Sequence, residues 1–309
     1  MGVCHTNNKI SDNYNKIKID GLMKDLTTDY LFDNSIKTPI RNDYTFEDTK
    51  IGQGSFGYVV KGTDKFGKLY AIKIIRKNKI FKGQLLANEI RLGMMMDHPN
   101  ILGIKEIYED LKTISFVMDY CEGGDLLDFI IRHPEGKLDD INTLDIIIQI
   151  LSALDYLHNQ IRICHRDIKP DNFLITVNEQ NRPIVKLIDF GFAHYISRNV
   201  KLKGRIGTIM YIAPEIIMEK PYDEKVDLWS AGVILFNLVT GCEPFSQSYE
   251  QFKKIEMQIL NKPINFDKIK NNGLRKLCQE MMERDPEKRI DARTALEKAK
   301  MIKVNMINS

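Results

Sequence analysis

The chain has 309 residues, 43% hydrophobic and 28% charged, which suits two compact domains or one large bilobed domain with a sizeable core. A net charge of only +3 gives no global basic surface that would point to nucleic acid. The five cysteines (Cys4, Cys121, Cys164, Cys242, Cys278) are scattered without a CxxC pair, as in a reducing compartment, and the longest apolar run, LWSAGVILFNLVTGC, is broken by Ser230, Gly232 and Asn237, so it reads as a buried helix rather than a membrane span.

In chain order, residues 1–43 are rich in Asn, Asp and Lys without sustained periodicity, and read as a flexible tail with a short helix near 22–32. Order is expected from Tyr44. YTFEDTKIG, YVVKGTD and LYAIKIIRK are β-rich and separated by Gly or Asp turns, a helix is expected at about 82–96, and two more strands near 101–108 and 113–119. Beyond Tyr120 the chain turns helical. DDINTLDIIIQILSALDYLHNQ places Leu144, Ile147, Ile148, Leu151, Leu154 and Leu157 on one broad apolar face. A hairpin follows (FLITV, NEQNRP, IVKLIDF), then helices from about 225 to 300, with 301–309 as a short tail. A β-rich part followed by a helical part implies an α+β fold of two lobes with a cleft between them, 44–119 and 120–300.

Four stretches carry chemistry. IGQGSFGYV sets glycines 52, 54 and 57 between strands, where a missing Cβ lets backbone N–H groups approach phosphates; a plain Gly-rich hairpin looks similar. YAIKII places Lys73 in an apolar strand, where it could snorkel or meet Glu89 of the next helix. CHRDIKPDNFLI brings Asp167, Lys169 and Asn172 within six residues of a loop, since Pro170 excludes a helix. KLIDFGFA ends a strand on Asp189; with Asn172 it makes a plausible oxygen site for Mg²⁺ beside phosphate.

In order and spacing these motifs, with IAPE at 212–215, DLWSAGV and DPEKRI, resemble the eukaryotic protein kinase catalytic domain over about residues 44–300. DHPNI, YCEGGDLLDFI and GTIMYIAPE are most similar to the calcium/calmodulin-dependent and calcium-dependent protein kinase group. The resemblance implies a bilobal fold with a small β-rich N-lobe containing one main helix and a larger helical C-lobe. It implies a Ser/Thr kinase that uses ATP and Mg²⁺ on protein substrates, acting as a monomer and binding no nucleic acid. An ATP-binding pseudokinase scaffold that works by docking partners is the alternative.

The same resemblance assigns residue roles. Ile51 would join the ATP site, and the backbone of Gly52, Gln53, Gly54, Ser55, Phe56 and Gly57 would cover the phosphates. Lys73, held by Glu89, would contact the α- and β-phosphates, and Asn172 and Asp189 would bind Mg²⁺. Asp167 would accept the substrate proton, Lys169 would neutralise the γ-phosphate, and Thr208 would hydrogen-bond into their pair. Val59, Ala71 and Leu174 would sandwich the adenine, with Asp119 and Cys121 giving hinge backbone contacts and Met118 as gatekeeper. Asp125 and Asp171 would read an arginine in the substrate, and Asn237 weakens the case for a second arginine. Glu215 with Arg289 would be a buried pair, Asp227 would brace the HRD backbone, and His165 is read as a packed core histidine.

The chain departs from the pattern in several places. Gly93, four residues after Glu89, replaces a large apolar residue, so the glutamate helix is expected to be loosely held, with Met94, Met95 or Met96 refilling the gap. No D-x-[DN]-x-[DN]-G loop occurs, so either the kinase is regulated otherwise or the chain is a piece of a longer product. The segment KLKGRIGTIMYIAPE has Gly204 where relatives phosphorylate a residue or carry an acid. Arg166 then faces Lys203 and Arg205 without a nearby anion, and a poorly ordered segment is expected. At the other end, MGVCHT fits the myristoylation pattern M-G-x-x-x-[ST] at Gly2, with Cys4 as a palmitoylation candidate; a cytoplasmic protein attached to membrane by acylation is expected.

Overall fold

A computed structural model describes residues 39–53, 57–79, 83–197, 200–245 and 252–308. Residues 1–38 of the tail with its expected helix at 22–32, Gly2 and Cys4, and Gly54, Ser55 and Phe56 of the Gly-rich loop lie outside the described residues, whereas Ile40–Asn42, expected as flexible tail, form a short helical turn with Ile40 buried in the core. The chain divides into two compact units. One comprises the residues up to Asp97 with Gly103–Tyr120, the other His98–Leu102 with Cys121–Ser309.

Among the described residues, the first unit is an antiparallel five-stranded sheet in the order β1-β2-β3-β5-β4, with one α-helix. The strands are β1 (Tyr44–Gln53), β2 (Gly57–Asp64), β3 (Leu69–Arg76), β4 (Glu106–Glu109) and β5 (Thr113–Asp119), and helix α1 (Gly83–Met95) lies between β3 and β4. Strand alternation sorts the side chains into two layers. Val60, Ile72, Ile74 and Val117 form one cluster with Tyr44 and Tyr108. Ile75, Ile114 and Phe116 form the other, beneath Leu86 and Ile90 of α1. Tyr44 and Tyr108 both donate to Glu106 at 3.0 Å, which ties the start of β1 across the sheet to β4.

The strand expected at 101–108 is shorter than its sequence suggests. Only Glu106–Glu109 joins the sheet. Ile101 instead bridges Leu187, and Leu102 N–H donates to the Leu187 carbonyl at 2.9 Å, so this stretch belongs to the second unit.

The second unit is helical. It holds α2 (Leu126–Arg132), α3 (Asp140–Asp155), α4 (Pro214–Ile217), α5 (Lys225–Thr240), α6 (Phe252–Asn261), α7 (Asn272–Met281) and α8 (Ala292–Ile307). Two short strand pairings complete it: β6 (Ile163–Cys164) with β9 (His194–Tyr195), and β7 (Phe173–Val177) with β8 (Pro183–Leu187). Helix α5 is the long apolar run of the sequence, buried continuously from Val226 to Leu238 and packed against α3 and α7. No helix among the described residues is long and apolar enough to cross a membrane. Residues 301–307, expected as tail, continue α8, which packs along α3 and carries Lys303 onto Asp145. Among the described residues, a β-rich unit with one α-helix and a helical unit with seven give the α+β class expected from the sequence.

Candidate active site

In the first unit the register of β2, β3 and β5 decides which side chains share a face. Val59 pairs with Lys73 and Ala71 with Met118, so these four residues lie on the face that carries α1. Glu89 projects from α1 onto this face and forms an ion pair with Lys73; both side chains are largely buried. Gly93 shows why the helix is held: a Cβ there would lie 2.8 Å from Ile104 Cδ1, so Ile104 occupies the space. The Ile104 N–H also donates to the Gly93 carbonyl at 2.9 Å. Ile104, eleven positions on, thus fills the gap, Met94 packs against the same cluster, and the helix is not loosely held at this point. Ile51, Gly52 and Gln53 close β1, and Gly57 opens β2, where a Cβ would strike the Ile74 carbonyl at 2.1 Å. Asp119, the last residue of β5, pairs its side chain with Lys105 at 3.2 Å.

In the second unit the loop after β6 presents the acidic centre. Asp167 is 8% exposed. Its Oδ1 accepts from the Thr208 hydroxyl at 2.8 Å, and its Oδ2 receives Lys169 Nζ and Asn172 Nδ2, each at 3.2 Å. Lys169 Nζ also donates to Thr208 Oγ1 at 3.1 Å. A carboxylate has about four acceptor sites, so the Asp167 carboxylate keeps capacity for one further hydroxyl. Asn172 spends its amide N–H groups on the Asp167 carbonyl and carboxylate, so its side-chain oxygen is the acceptor these bonds leave over. Asp189 stands one residue past Ile188, whose N–H donates to the Asn172 carbonyl at 2.9 Å. The two oxygen donors fit Mg²⁺, which takes one or two protein carboxylate-type ligands and completes its octahedron from phosphate and water.

Arg166 (φ 71°) and Asp189 (φ 65°) both sit in the left-handed region, a costly conformation for residues with a Cβ. At Arg166 the cost is offset by Asp227 of α5, whose carboxylate accepts the His165 N–H at 2.8 Å and the Arg166 N–H at 2.9 Å. His158 Nε2 bonds the same carboxylate at 2.8 Å. Burial alone would raise the Asp227 carboxyl, but the His158 hydrogen bond and the charge of the two histidines outweigh it and hold it below the usual carboxylate range. Burial pushes the Cys164 thiol well up, with the Asp227 charge adding to it, so Cys164 is packed rather than nucleophilic. His165 is fully buried, edge-on to Phe190, with Nε2 on the Ile188 carbonyl. Glu215 and Arg289 form a two-bond pair at 2.6 and 2.9 Å in the core.

Other expected residues have structural duties. Asp125 caps α2 by accepting the Asp128 N–H at 2.8 Å, and Asp171 is exposed in a short turn over Pro170–Asn172. Leu174 lies in β7 and bridges Asp125, while Cys121 begins the second unit and is half-buried. Asn237 is buried and donates to Glu243 at 3.1 Å.

The basic segment is not left without anions. Lys201 pairs with Asp223 and, at 3.7 Å, with Glu287; Arg205 pairs with Glu256 of α6. Arg166 Nε donates to the Phe192 carbonyl at 2.6 Å. These acids lie 22 to 86 residues away in sequence, so no local signal could have found them. His158 was missed for a different reason: a π-helical turn over Tyr156–Ile161 aims it at Asp227, and a helix periodicity does not announce such a turn.

The first unit thus holds a lysine paired with a helix glutamate, and the second a carboxylate bonded to a threonine, a lysine and an asparagine. The protein kinase domain model matches residues 45–300, and the chain belongs to that family. It is 43% identical over 216 residues to calcium-dependent protein kinase 5 of Plasmodium falciparum (isolate 3D7), covering 69% of this chain and 37% of that protein. It is 38% identical over 254 residues to calcium-dependent protein kinase 4 of Plasmodium berghei (strain Anka), covering 80% of this chain and 47% of that protein. The chain therefore spans less than half the length of these curated relatives.

Proposed function

We propose that the chain is an active Ser/Thr protein kinase that transfers the γ-phosphate of ATP to protein hydroxyls in basic sequence contexts. The observation that carries the reading is the Thr208–Asp167–Lys169 triangle, with contacts of 2.8, 3.2 and 3.1 Å. It sets a carboxylate where a hydroxyl proton can be accepted and a cation beside it, as in-line transfer requires. Bound Mg²⁺ would join Asn172 and Asp189 and neutralise charge on the phosphates; Lys73 and Glu89 would order the nucleotide. The scaffold alternative drew its support from Gly93, and Ile104 packing into that position weakens it.

A phosphorylation assay on a peptide library with Mg-ATP tests the reading. Transfer to Ser and Thr with enrichment of arginine before the acceptor is expected. Asp125→Asn with Asp171→Asn should lower that arginine preference while activity on neutral peptides persists. Enrichment of acidic peptides would contradict the basic-context part.

Membrane attachment through myristate on Gly2 and palmitate on Cys4 belongs to the same proposal, supported by the sequence pattern alone. One myristoyl chain binds membranes only marginally, on the order of 10⁴ M⁻¹, and residues 1–43 carry six cations against six acids, so a second lipid is needed. In cell fractionation Gly2→Ala should move the protein to the soluble fraction, and an unchanged membrane fraction would end this part of the proposal.

A further inference from the structure

Between Val200 and Thr208 the chain has three cations and no acid. At one end of this stretch, Leu202 exchanges two backbone hydrogen bonds with Tyr222, at 2.7 and 3.0 Å, and Lys201 pairs with Asp223. At the other end, Thr208 touches Asp167 and Lys169. The connection runs through Gly204 (φ 98°) and Gly207 (φ 115°). Gly207 lies so close to the loop of Asp167 that a Cβ would come 2.8 Å from the Arg166 carbonyl. Gly204 has open space around it, so nothing restrains it sterically. Glycine loses more conformational freedom on ordering than any other residue, so two of them leave the turn between poorly restrained by its own backbone. The charged tie in that turn is Arg205, which reaches Glu256 on α6. The Glu256 side chain is only 20% exposed, so it is partly shielded from water and salt.

We propose that Glu256 is a positioning residue for phosphoryl transfer: through Arg205 it fixes the 204–207 turn and so holds Thr208 on Asp167 and Lys169. It is an anion built into the fold, in a segment that has no phosphorylatable residue at Gly204. The inference rests on the kinase reading above.

Steady-state kinetics with Mg-ATP and a basic Ser peptide test it, on phosphatase-treated wild type, Arg205→Glu, Glu256→Arg and the double reversal. Each single reversal sets like charges together and should lower kcat about tenfold while KM for ATP stays within about twofold. The double reversal should return kcat to within about threefold of wild type. Glu256→Gln, which keeps the shape and loses the charge, should cost about threefold. Exposed pairs add little to stability, so melting temperatures should stay within about 3 °C. Single reversals with wild-type kcat would overturn the proposal. So would a double reversal no better than the worse single, the result expected if Glu256 instead contacted the peptide. Loss of wild-type activity on phosphatase treatment would also overturn it. A wild type inactive with and without that treatment removes the kinase reading and the inference together; an active wild type with uncoupled reversals removes the inference alone.

Discussion

The loop around Asp167 and the segment around Arg205 meet at Thr208 but are held by different physics. The first is fixed by buried contacts: Asp227 takes two backbone N–H groups and His158, and Asn172 closes the loop on itself. The second is fixed by exposed lysine and arginine side chains on acids from distant helices and loops. Buried hydrogen-bond networks are costly to break and barely feel salt, whereas exposed ion pairs are weak singly and screened. The Asp167 loop is therefore the rigid partner and the Arg205 segment the adjustable one.

The rigid side can be broken most severely at Glu215. Glu215→Ala would leave Arg289 charged and unpaired in the core, and should cost about 3–5 kcal/mol in urea unfolding. A loss under about 1 kcal/mol would show that the pair is not what joins the segment's end to the late helices.

Asp227→Asn should cost about 2–3 kcal/mol at pH 7, because hydrogen bonds to a charged acceptor are replaced by weaker ones. The pH dependence has a definite sign. The folded-state carboxyl of Asp227 lies below its unfolded value of about 3.9, so its contribution is complete above that pH and is lost as pH falls through the folded value. The stability gap between wild type and Asp227→Asn should close below about pH 4; a gap that widens there would contradict the assignment.

Thr208→Ala probes the junction itself. It removes the hydroxyl that Asp167 accepts and Lys169 donates to, and should lower kcat about 10–100-fold with little change in melting temperature. Unchanged turnover would separate the two regions functionally. The smallest effect is expected at Gly93→Ala. Alanine gains about 1 kcal/mol of helix propensity but must displace Ile104 from 2.8 Å, so net stability should change by less than about 1 kcal/mol.

The same division explains what the sequence reveals. Lys73, Asp167, Lys169, Asn172 and Asp189 are legible because loop chemistry needs those residue types at short spacings, and the structure brings Asp167, Lys169, Asn172 and Thr208 into mutual contact. Strand alternation likewise foretells that Ala71 and Lys73 share a face, while the pairing of Val59 with Lys73 that adds Val59 to it is seen only in the structure. Tertiary partners are not legible. Ile104 filling the place of a side chain at Gly93, and Asp223, Glu287 and Glu256 neutralising the basic segment, depend on contacts between elements far apart in the chain. The split of 101–108 between two units is similarly hidden, because Ile101 is as apolar as a sheet residue and only its bond to Leu187 shows where it goes.

Single-turnover transfer from Mg-ATP to a basic Ser peptide, compared between wild type and Asp167→Asn with nucleotide binding followed by calorimetry, tests the central claim most directly. Both proteins should bind Mg-ATP alike, and the variant should transfer phosphate about 10²–10⁴-fold more slowly. Equal transfer rates, or a wild type that binds Mg-ATP and transfers nothing, would contradict the account.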